Sequence, residues 1–292
     1  MRILLAGGSG VIGSRLIPLL RERGHDVVAT TRRPDRLGRI AELGATGAVV
    51  DVYDAERLAE VVAGARPDLV LHQLTDLAEY DLAANARIRR EGTANLVAAA
   101  SRAGTRRMIV QSIAWVFGDG ATAATEADPI TPGSAVDDME SLVRRMPRAS
   151  VLRYGRFYGP TTWYAVDGRT ADAVRNGAVT ATRAISSFVH VDDAAAATVQ
   201  AVDWPDGTYH IVDDEPAPAT VWLPVYAAGL GAPPPPVDEQ APATGRPVAN
   251  ALARSLGWVP RYPSWRQGFP STGEDPDDHR RPGDPDQGAG PP

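Results

Sequence analysis

The feature of this sequence that most limits its fold is a regular alternation of short apolar segments with segments of helical spacing. The apolar segments are RILLAG (2–7), HDVVATTR (25–32), TGAVVDVYD (46–54), PDLVLHQL (67–74), RRMIVQSIAWVFG (106–118) and ASVLRYGRFYG (149–159). Strands that are apolar on both faces must be covered on both sides, so this order predicts a parallel sheet between two layers of helices. We therefore predict a doubly wound α/β fold whose ligand crevice lies at the carboxyl ends of the strands.

The helical segments between these strands include residues 10–24, residues 84–104 and residues 130–146. After about residue 160 the alternation loosens, although GTYHIVDDEP (207–216) predicts one more strand. We predict a dinucleotide-binding domain over residues 1–160, completed by part of 185–215, and an interleaved substrate-binding lobe over 161–269. The segment 270–292 has almost no apolar side chains, so we expect a disordered tail.

Composition excludes several classes of function. The chain has 36 acidic and 30 basic residues, a net charge of −6, which argues against nucleic acid as a partner. It has no cysteine and no lysine, so disulfides, thiolate chemistry and lysine Schiff bases are excluded. No apolar run approaches about 18 residues and the N-terminus does not resemble a signal peptide, so we expect a cytoplasmic protein without a membrane partner. The histidines show no metal-ligand spacing.

The segment AGGSGVIG predicts a dinucleotide site, because it leaves a predicted strand and opens a predicted helix. In this context the first glycine permits a tight turn, the second lets the backbone approach a pyrophosphate, and the third allows close packing of helix and strand. The amino end of the helix then binds the phosphates, as it does in Rossmann-type folds. We therefore predict a Rossmann-type fold. The candidate cofactor-binding residues here are Gly7, Ser9, Gly10, Val11, Ile12 and Gly13.

The end of the second strand predicts which dinucleotide is bound. An NAD site usually has an acidic residue about 20 residues after the glycines, bonded to the ribose 2′-hydroxyl. This sequence has VVATTRRPD instead, and Arg32 and Arg33 suit a 2′-phosphate, so we predict NADPH. A solvated basic turn is the other interpretation. At the third strand, Asp51 is placed to accept a hydrogen bond from the adenine amino group, and Val52 to pack on the ring.

The sequence resembles the extended or atypical short-chain dehydrogenases/reductases, relatives of the nucleotide-sugar epimerases and dehydratases, over about residues 1 to 268. The resemblance rests on seven segments in the family's order: GGSGVIG, VVDVYD, DLVLHQL, REGTANLVAAA, VLRYGRFYGP, FVHVDDAAAA and GTYHIVDDEP. It implies that LHQLT runs beneath the cofactor toward the nicotinamide, which makes Leu74 and Thr75 candidates. It also implies that RYGRFYGP lies beside the nicotinamide, which implicates Tyr154, Gly155, Phe157 and Tyr158.

The departures from the family concern proton transfer. The family uses a Tyr-x-x-x-Lys pair on the helix after the fifth strand, and the tyrosine exchanges the proton. Counted back from Glu140, those positions fall near Pro132 and Val136, and the chain has no lysine. Ser112 matches the first serine of the family's usual pair, but Ile113 stands where the catalytic serine is expected. The resemblance therefore carries over the dinucleotide site but not the residues that move the proton.

Aromatic residues are concentrated in the second half of the chain, since only Tyr53 and Tyr80 precede Trp115. Such side chains can stack on a flat aromatic substrate. Ordinary packing in the core of the second lobe is the other interpretation. The candidate substrate-binding residues are Trp115, Phe117, Trp163, Tyr164 and Trp222.

These features, with a resemblance to the reductases of angucyclinone antibiotic pathways, predict an NADPH-dependent ketoreductase acting on an aromatic polyketide. Its proton would come from Tyr158 or Tyr154, from water, or from a substrate hydroxyl beside the ketone. Ser112 and Tyr158 are the candidate catalytic residues. A non-catalytic NADP-sensing regulator is an alternative of a different class. A nucleotide-sugar epimerase or dehydratase is a weaker one, because both reactions rely on the missing tyrosine. The sequence leaves the oligomeric state open.

Overall fold

The computed structural model describes residues 1–77 and 81–269 of the chain. Its strands are β1 (Arg2–Ala6), β2 (Asp26–Thr31), β3 (Thr46–Val49), β4 (Leu69–His72), β5 (Arg107–Ile113), β6 (Arg148–Tyr154), β7 (Arg156–Tyr158), β8 (Ile185–Ser186), β9 (Phe188–His190), β10 (Gly207–Ile211) and β11 (Ala217–Pro218).

The helices in the same residues are α1 (Gly13–Glu22), α2 (Leu37–Glu42), α3 (Ala55–Ala65), α4 (Leu82–Arg87), α5 (Thr93–Arg102), α6 (Ala135–Val143), α7 (Arg169–Arg175), α8 (Val191–Gln200), α9 (Ala219–Gly229), α10 (Ala251–Ser255) and α11 (Trp265–Gly268). Of these, α7 and α11 lie in segments for which the sequence predicted no element. No helix in the described ranges is long and apolar enough to cross a membrane.

Seven strands form one parallel sheet in the order β10-β6-β5-β4-β1-β2-β3, which confirms the predicted Rossmann-type fold. The central strand shows why the strands had to be apolar throughout. Ile3 and Leu5 of β1 point into one hydrophobic cluster, and Leu4 and Ala6 point into another on the opposite face. Both faces are therefore covered, as a parallel sheet requires.

The second half of the chain contributes to this sheet. Strand β10 pairs with β6, with Gly207 opposite Ser150 and Ile211 opposite Tyr154. Helix α8 supplies buried side chains, among them Val191 and Ala194, to the same cluster as those of α1. The sheet domain thus takes in residues from both sides of position 160.

Two elements differ from the predicted ones. The strand predicted over 149–159 is divided at Gly155, whose backbone lies so close to β9 that an added Cβ would stand 2.7 Å from the Phe188 carbonyl oxygen. As a result β7 leaves the main sheet and pairs with β9. The helix predicted over 84–104 contains a π-helical segment, Ile88–Gly92, between α4 and α5. Gly92 in that segment packs against Val52.

The smaller lobe is built around a cluster of aromatic side chains, with the short sheet β11-β8 beside it. We call this group the aromatic cluster. Its ring contacts are mostly edge-to-face, the arrangement that aromatic pairs prefer. Its main members are Tyr158, Tyr164, Phe188, Trp222, Tyr226, Trp265 and Phe269. The predicted tail, 270–292, lies outside the described residues.

Candidate functional site

A cleft of about 360 Å³ opens at the carboxyl ends of β1, β2 and β4. This is the place where a doubly wound sheet binds its ligand, and the volume lies in the range of small-molecule sites. Nine of the fourteen residues predicted to bind the cofactor line it: Gly7, Ser9, Gly10, Val11, Arg32, Arg33, Val52, Leu74 and Thr75. The sequence missed other lining residues, of which Thr30, Thr31, Gln73 and Asp76 are polar.

The glycine loop has the close contacts that a phosphate-binding turn requires. Gly7 has φ +92°, and a Cβ there would lie 2.7 Å from the carbonyl oxygen of Gln73. A Cβ on Gly13 would collide with the carbonyl oxygen of Gly7. Helix α1 begins at Gly13, and the buried Ile12 and Gly13 lie beneath the loop and do not line the cleft. The loop and the amino end of α1 therefore fit a dinucleotide pyrophosphate.

The end of β2 carries the basic side chains. The hydroxyl groups of Ser9 and Thr31 are hydrogen-bonded at 2.9 Å, which joins the glycine loop to this strand. Arg32 donates to both carboxylate oxygens of Asp76 at 3.2 Å, and Arg33 pairs with Asp35 at 2.7 Å. Both guanidinium groups lie at the cleft, and each already has a carboxylate that competes with an anionic ligand.

Asp51 is placed differently from the prediction. Its side chain is exposed and its carboxylate accepts a hydrogen bond from the backbone N–H of Tyr53 at 2.9 Å, which closes the turn before α3. It does not line the cleft, whereas the next residue, Val52, does. Of the two residues predicted to contact the adenine, Val52 therefore lines the cleft and Asp51 does not.

Gln73 is one of the cleft residues that sequence reasoning missed. It is 6% exposed and lines the cleft, and its amide makes no hydrogen bond within 3.5 Å in the described residues, although it lies near enough to the Tyr154 hydroxyl to act on the pKa of that tyrosine. A buried polar group without a partner costs about 1–3 kcal/mol, which a bound ligand can recover. The available signal was a glutamine at the end of an otherwise apolar strand.

The segment after β4 is fixed by hydrogen bonds to the side chains of His72 and Gln111. The Nδ1 atom of His72 accepts from the backbone N–H of Leu74, and its Nε2 lies 2.8 Å from the Thr93 hydroxyl. Burial lowers the pKa of His72 to about 4, so the imidazole is neutral and its Nε2 carries the proton. Gln111 donates to the carbonyl oxygen of Leu74 at 3.0 Å. These bonds position Leu74 and Thr75 at the cleft.

Ser112 belongs to a buried ion pair and does not line the cleft. Its hydroxyl donates to Glu140 at 2.6 Å, and Arg153 donates to both oxygens of the same carboxylate at 2.8 and 3.0 Å. Burial opposes ionisation of Glu140, but the Arg153 guanidinium and the Ser112 hydroxyl outweigh it and lower the pKa of the carboxyl. This arrangement gives Ser112 a structural partner on α6.

The tyrosines predicted beside the nicotinamide do not line the cleft either. The Tyr154 hydroxyl is hydrogen-bonded to Thr198 at 2.6 Å, and burial raises the pKa of Tyr154 to about 12. Phe157 packs against the Tyr154 ring. Tyr158 is fully buried, its hydroxyl has no hydrogen-bond partner in the described residues, and burial raises its pKa. Because β7 pairs with β9, Tyr158 joins the aromatic cluster, which corrects its predicted placement.

Comparison with known proteins identifies the family. Residues 3–212 match the family described as the NAD dependent epimerase/dehydratase family, which is most of the sheet domain. The chain belongs to the NAD dependent epimerase/dehydratase family. Family members are NAD(P)-dependent oxidoreductases and epimerases.

A relative of nearly full length is a reductase. The 3-diazoavenalumate denitrifying reductase of a Streptomyces species is 42% identical to this chain, and the alignment covers 92% of this chain and 99% of that protein. This similarity supports oxidoreductase activity.

Solved structures of the family share the fold. The UDP-glucose 4-epimerase of Thermus thermophilus, in complex with NAD, has a TM-score of 0.77 at 23% identity, covering 93% of this chain and 97% of that chain. The WbmG enzyme of Bordetella bronchiseptica, in complex with NAD and UDP, has a TM-score of 0.76 at 20% identity, covering 92% of each chain.

This member of the epimerase/dehydratase family has neither a tyrosine nor a lysine on α6. Ser134 caps that helix by accepting from the Asp137 N–H, so Pro132 precedes the helix, and Val136 is buried. Of the described residues that line the cleft, none is a tyrosine or a histidine. The cleft can hold a cofactor, and its polar groups are hydroxyls, one amide, two arginines and Asp76.

The predicted substrate-binding aromatics fall into three groups. Trp163 lines the cofactor cleft. Trp115 and Phe117 line a separate pocket of about 30 Å³. Tyr164 and Trp222 are buried in the aromatic cluster, where their ring centroids are 5.8 Å apart, which agrees with the core-packing interpretation for these two.

Proposed function

We propose that this protein is an NADPH-dependent reductase that replaces the diazo group of an acidic aromatic compound with hydrogen. The observation that carries the proposal is the cleft, where the glycine loop lies beside Trp163 and none of the described lining residues is a tyrosine. Away from the cleft lining, Pro132 and Val136 stand near the positions of the family's tyrosine and lysine. The 42% identity to a denitrifying reductase supports the same class of reaction.

The cofactor assignment rests on charge. The glycine loop and α1 suit a pyrophosphate, and Arg32 and Arg33 stand at the end of β2, where an NAD site usually has an acidic residue. A 2′-phosphate is the group that two guanidinium groups bind best. When bound, the cofactor supplies a hydride from its dihydronicotinamide ring.

The proposed reaction needs no protein acid. In an aryl diazonium ion, the ring carbon gains a hydride, and the C–N bond breaks with its electron pair leaving on dinitrogen. The products are the arene, dinitrogen and the oxidised dinucleotide, and no proton is taken up. The chain's own residues then need only bind the cofactor, hold the aromatic ring near Trp163 and limit the access of water.

Reduction of an aromatic polyketide ketone is the second candidate, favoured by the same Trp163 at the cleft. A ketone that accepts a hydride becomes an alkoxide, which must then be protonated, and loss of a general acid typically costs about 10² to 10⁴ in rate. This candidate therefore requires a substrate hydroxyl beside the ketone, or water, as the proton source. A non-catalytic NADP-sensing regulator would bind the cofactor at the same cleft without turnover.

The test uses the full chain with NADPH and the diazonium salt of 3-amino-4-hydroxybenzoic acid, with a protein-free blank for the uncatalysed reaction. NADPH deuterated at the transferable position should place deuterium on the ring carbon that carried nitrogen, with one dinitrogen released per NADPH oxidised. The same reaction in D₂O with unlabelled NADPH should leave that carbon without deuterium.

Other outcomes separate the candidates. Deuterium taken from D₂O would contradict hydride transfer to the ring. NADPH oxidation with hydroxyquinone ketones but not with the diazonium salt would favour the ketoreductase. Tight NADPH binding without turnover of either substrate class would favour the regulator.

A further inference from the structure

A second pocket lies beside the carboxyl ends of β5 and β6. It is lined by the loop after β5, which carries Trp115 and Phe117, by Arg156 of β7, and by the segments around Ser186 and Arg246. Its volume of about 30 Å³ exceeds the roughly 10–15 Å³ that one water molecule needs on the same measure. A carboxylate group fits a space of this order, whereas an aromatic ring does not.

Arg156 is the unusual residue of this pocket. Its guanidinium lies over the Trp115 ring, 4.9 Å from the ring centroid. Within residues 1–77 and 81–269, no carboxylate forms an ion pair with Arg156, and its guanidinium makes no hydrogen bond. The other arginine of the pocket, Arg246, is paired with Asp128 at 3.0 Å. The pocket therefore offers one uncompensated positive charge to a ligand.

Trp115 is the one aromatic side chain among the exposed large apolar residues of the described ranges. It is 46% exposed, although Phe117 two residues later is partly buried against a small core cluster. One face of the indole is occupied by Arg156. The exposed remainder is an apolar surface directly beside an unpaired guanidinium, which suits an aromatic ring that carries an acidic group.

The order of the sheet places this pocket next to the cofactor cleft. Strand β5 lies between β4 and β6, and the segment after β4 lines the cleft. Gln111 of β5 donates to the Leu74 carbonyl oxygen, which joins the two strand ends. A ligand anchored at Arg156 would therefore lie at the same edge of the sheet as the cleft.

We propose that Arg156, stacked on Trp115, binds the carboxylate of an acidic aromatic substrate and so sets the position of the reacting ring carbon. A planar guanidinium binds a carboxylate through two parallel hydrogen bonds. The Trp115 face keeps the guanidinium oriented while leaving its outer edge free. This inference rests on the proposed function, because it names the acidic group of the substrate of that site.

The test compares an acid with its neutral counterpart. The ligands are 4-hydroxycinnamic acid and its carboxamide, and calorimetry measures their binding to the protein saturated with NADP⁺. The unsubstituted protein should bind the acid more tightly. Arg156→Gln should weaken binding of the acid about 10- to 100-fold, since a hydrogen bond to a charged group is worth about 1.5–3 kcal/mol. Binding of the carboxamide should change less than about threefold.

Two controls distinguish loss of the proposed Arg156 contact from a general effect of removing an arginine and from unfolding. Arg39→Gln removes an exposed arginine that pairs with Glu42 on α2, and it should leave binding of the acid unchanged. NADPH affinity should be the same in Arg156→Gln as in the unsubstituted protein, which shows that the fold persists. An equal loss for acid and carboxamide, or no preference for the acid in the unsubstituted protein, would overturn the inference. Failure of diazonium turnover alone would overturn only the proposed function.

Discussion

Arg32 and Asp76 form a bidentate ion pair, in which each of the two terminal guanidinium nitrogens of Arg32 donates to a different carboxylate oxygen of Asp76 at 3.2 Å. Arg32 follows β2 and Asp76 follows β4, so the pair connects two walls of the cofactor cleft. The backbone N–H of Asp76 donates to the Asn85 side chain, which positions the carboxylate. A 2′-phosphate bound by Arg32 must therefore compete with the carboxylate of Asp76.

Asp76→Asn should raise the affinity for NADPH several-fold and leave the affinity for NADH nearly unchanged. The change removes a negative charge near the 2′-phosphate while keeping the size of the side chain. Fluorescence titration of both reduced cofactors measures the effect. An equal gain for NADH would show that Asp76 acts on the fold of the cleft and not on the phosphate.

Replacing Arg32 and Arg33 together by alanine should weaken NADPH more than about tenfold and weaken NADH far less. Each guanidinium is a charge-assisted donor that only the phosphorylated cofactor engages. The same titrations measure this, with Arg39→Ala as an exposed-arginine control. Equal loss for the two cofactors would contradict the NADPH assignment.

Gln73→Leu should raise the free energy of unfolding of the cofactor-free protein by about 1 kcal/mol, because it removes a buried amide that makes no hydrogen bond within 3.5 Å in the described residues. It should also weaken dinucleotide binding about tenfold, since the bound ligand loses that amide as a hydrogen-bonding group. Urea unfolding and cofactor titration measure the two effects. Unchanged cofactor affinity would mean that the amide is not used.

Tyr158→Phe should leave kcat unchanged and should not lower the free energy of unfolding. The Tyr158 hydroxyl is buried in the aromatic cluster without a hydrogen-bond partner in the described residues, so its removal costs no interaction. Steady-state kinetics and thermal unfolding check this. A large loss of kcat with unchanged stability would instead indicate that Tyr158 is the proton donor.

Ser112→Ala should lower the free energy of unfolding by about 1–3 kcal/mol and leave cofactor affinity unchanged. The hydroxyl donates to the buried Glu140 carboxylate, and its loss leaves a charged acceptor with one partner fewer. Thermal unfolding and cofactor titration separate the two outcomes. Unchanged stability with a loss of kcat would indicate a catalytic hydroxyl instead.

The stability of the protein should decrease with rising pH because of Asp213. Burial raises the pKa of Asp213 to about 8, whereas an unfolded aspartate has a pKa of about 3.9. The stabilising contribution of the protonated form is complete below pH 3.9 and is lost as the pH rises through about 8.

In Asp213→Asn, the change in the free energy of unfolding between these two pH limits should therefore be smaller by more than about 1.4 kcal/mol, the equivalent of one pKa unit. Urea unfolding at several pH values measures the slope. An identical slope in the variant would show that Asp213 is ionised in the folded protein.

The fold and the cofactor loop were predictable because they depend on local patterns. Apolar strands alternating with helical spacing leave one way to cover both faces of a sheet, and Ile3 and Leu4 of β1 indeed point to opposite clusters. The spacing of Gly7, Gly10 and Gly13 predicts a backbone conformation, and the φ of +92° at Gly7 is of that kind.

The directions of the side chains after β5 and β6 were not predictable in this way. Whether Tyr158 faces the cleft or the aromatic cluster depends on Gly155, where β9 approaches the backbone and turns β7 out of the main sheet. Whether the Ser112 hydroxyl contacts a ligand or donates a hydrogen bond to Glu140 depends on how α6 packs against β5. Both outcomes come from contacts between segments that are far apart in sequence.

The sequence by itself determined the doubly wound sheet, the glycine loop at its centre and the absence of a tyrosine–lysine pair, because periodicity and residue identity suffice for these. Only the tertiary structure decided that Gln73 has an unpaired amide at the cleft, that Arg32 is held by Asp76 and that Arg156 stacks on Trp115 without a carboxylate. The reason is physical: hydrogen bonding and charge pairing are properties of neighbours in space, and those neighbours are brought together only by folding.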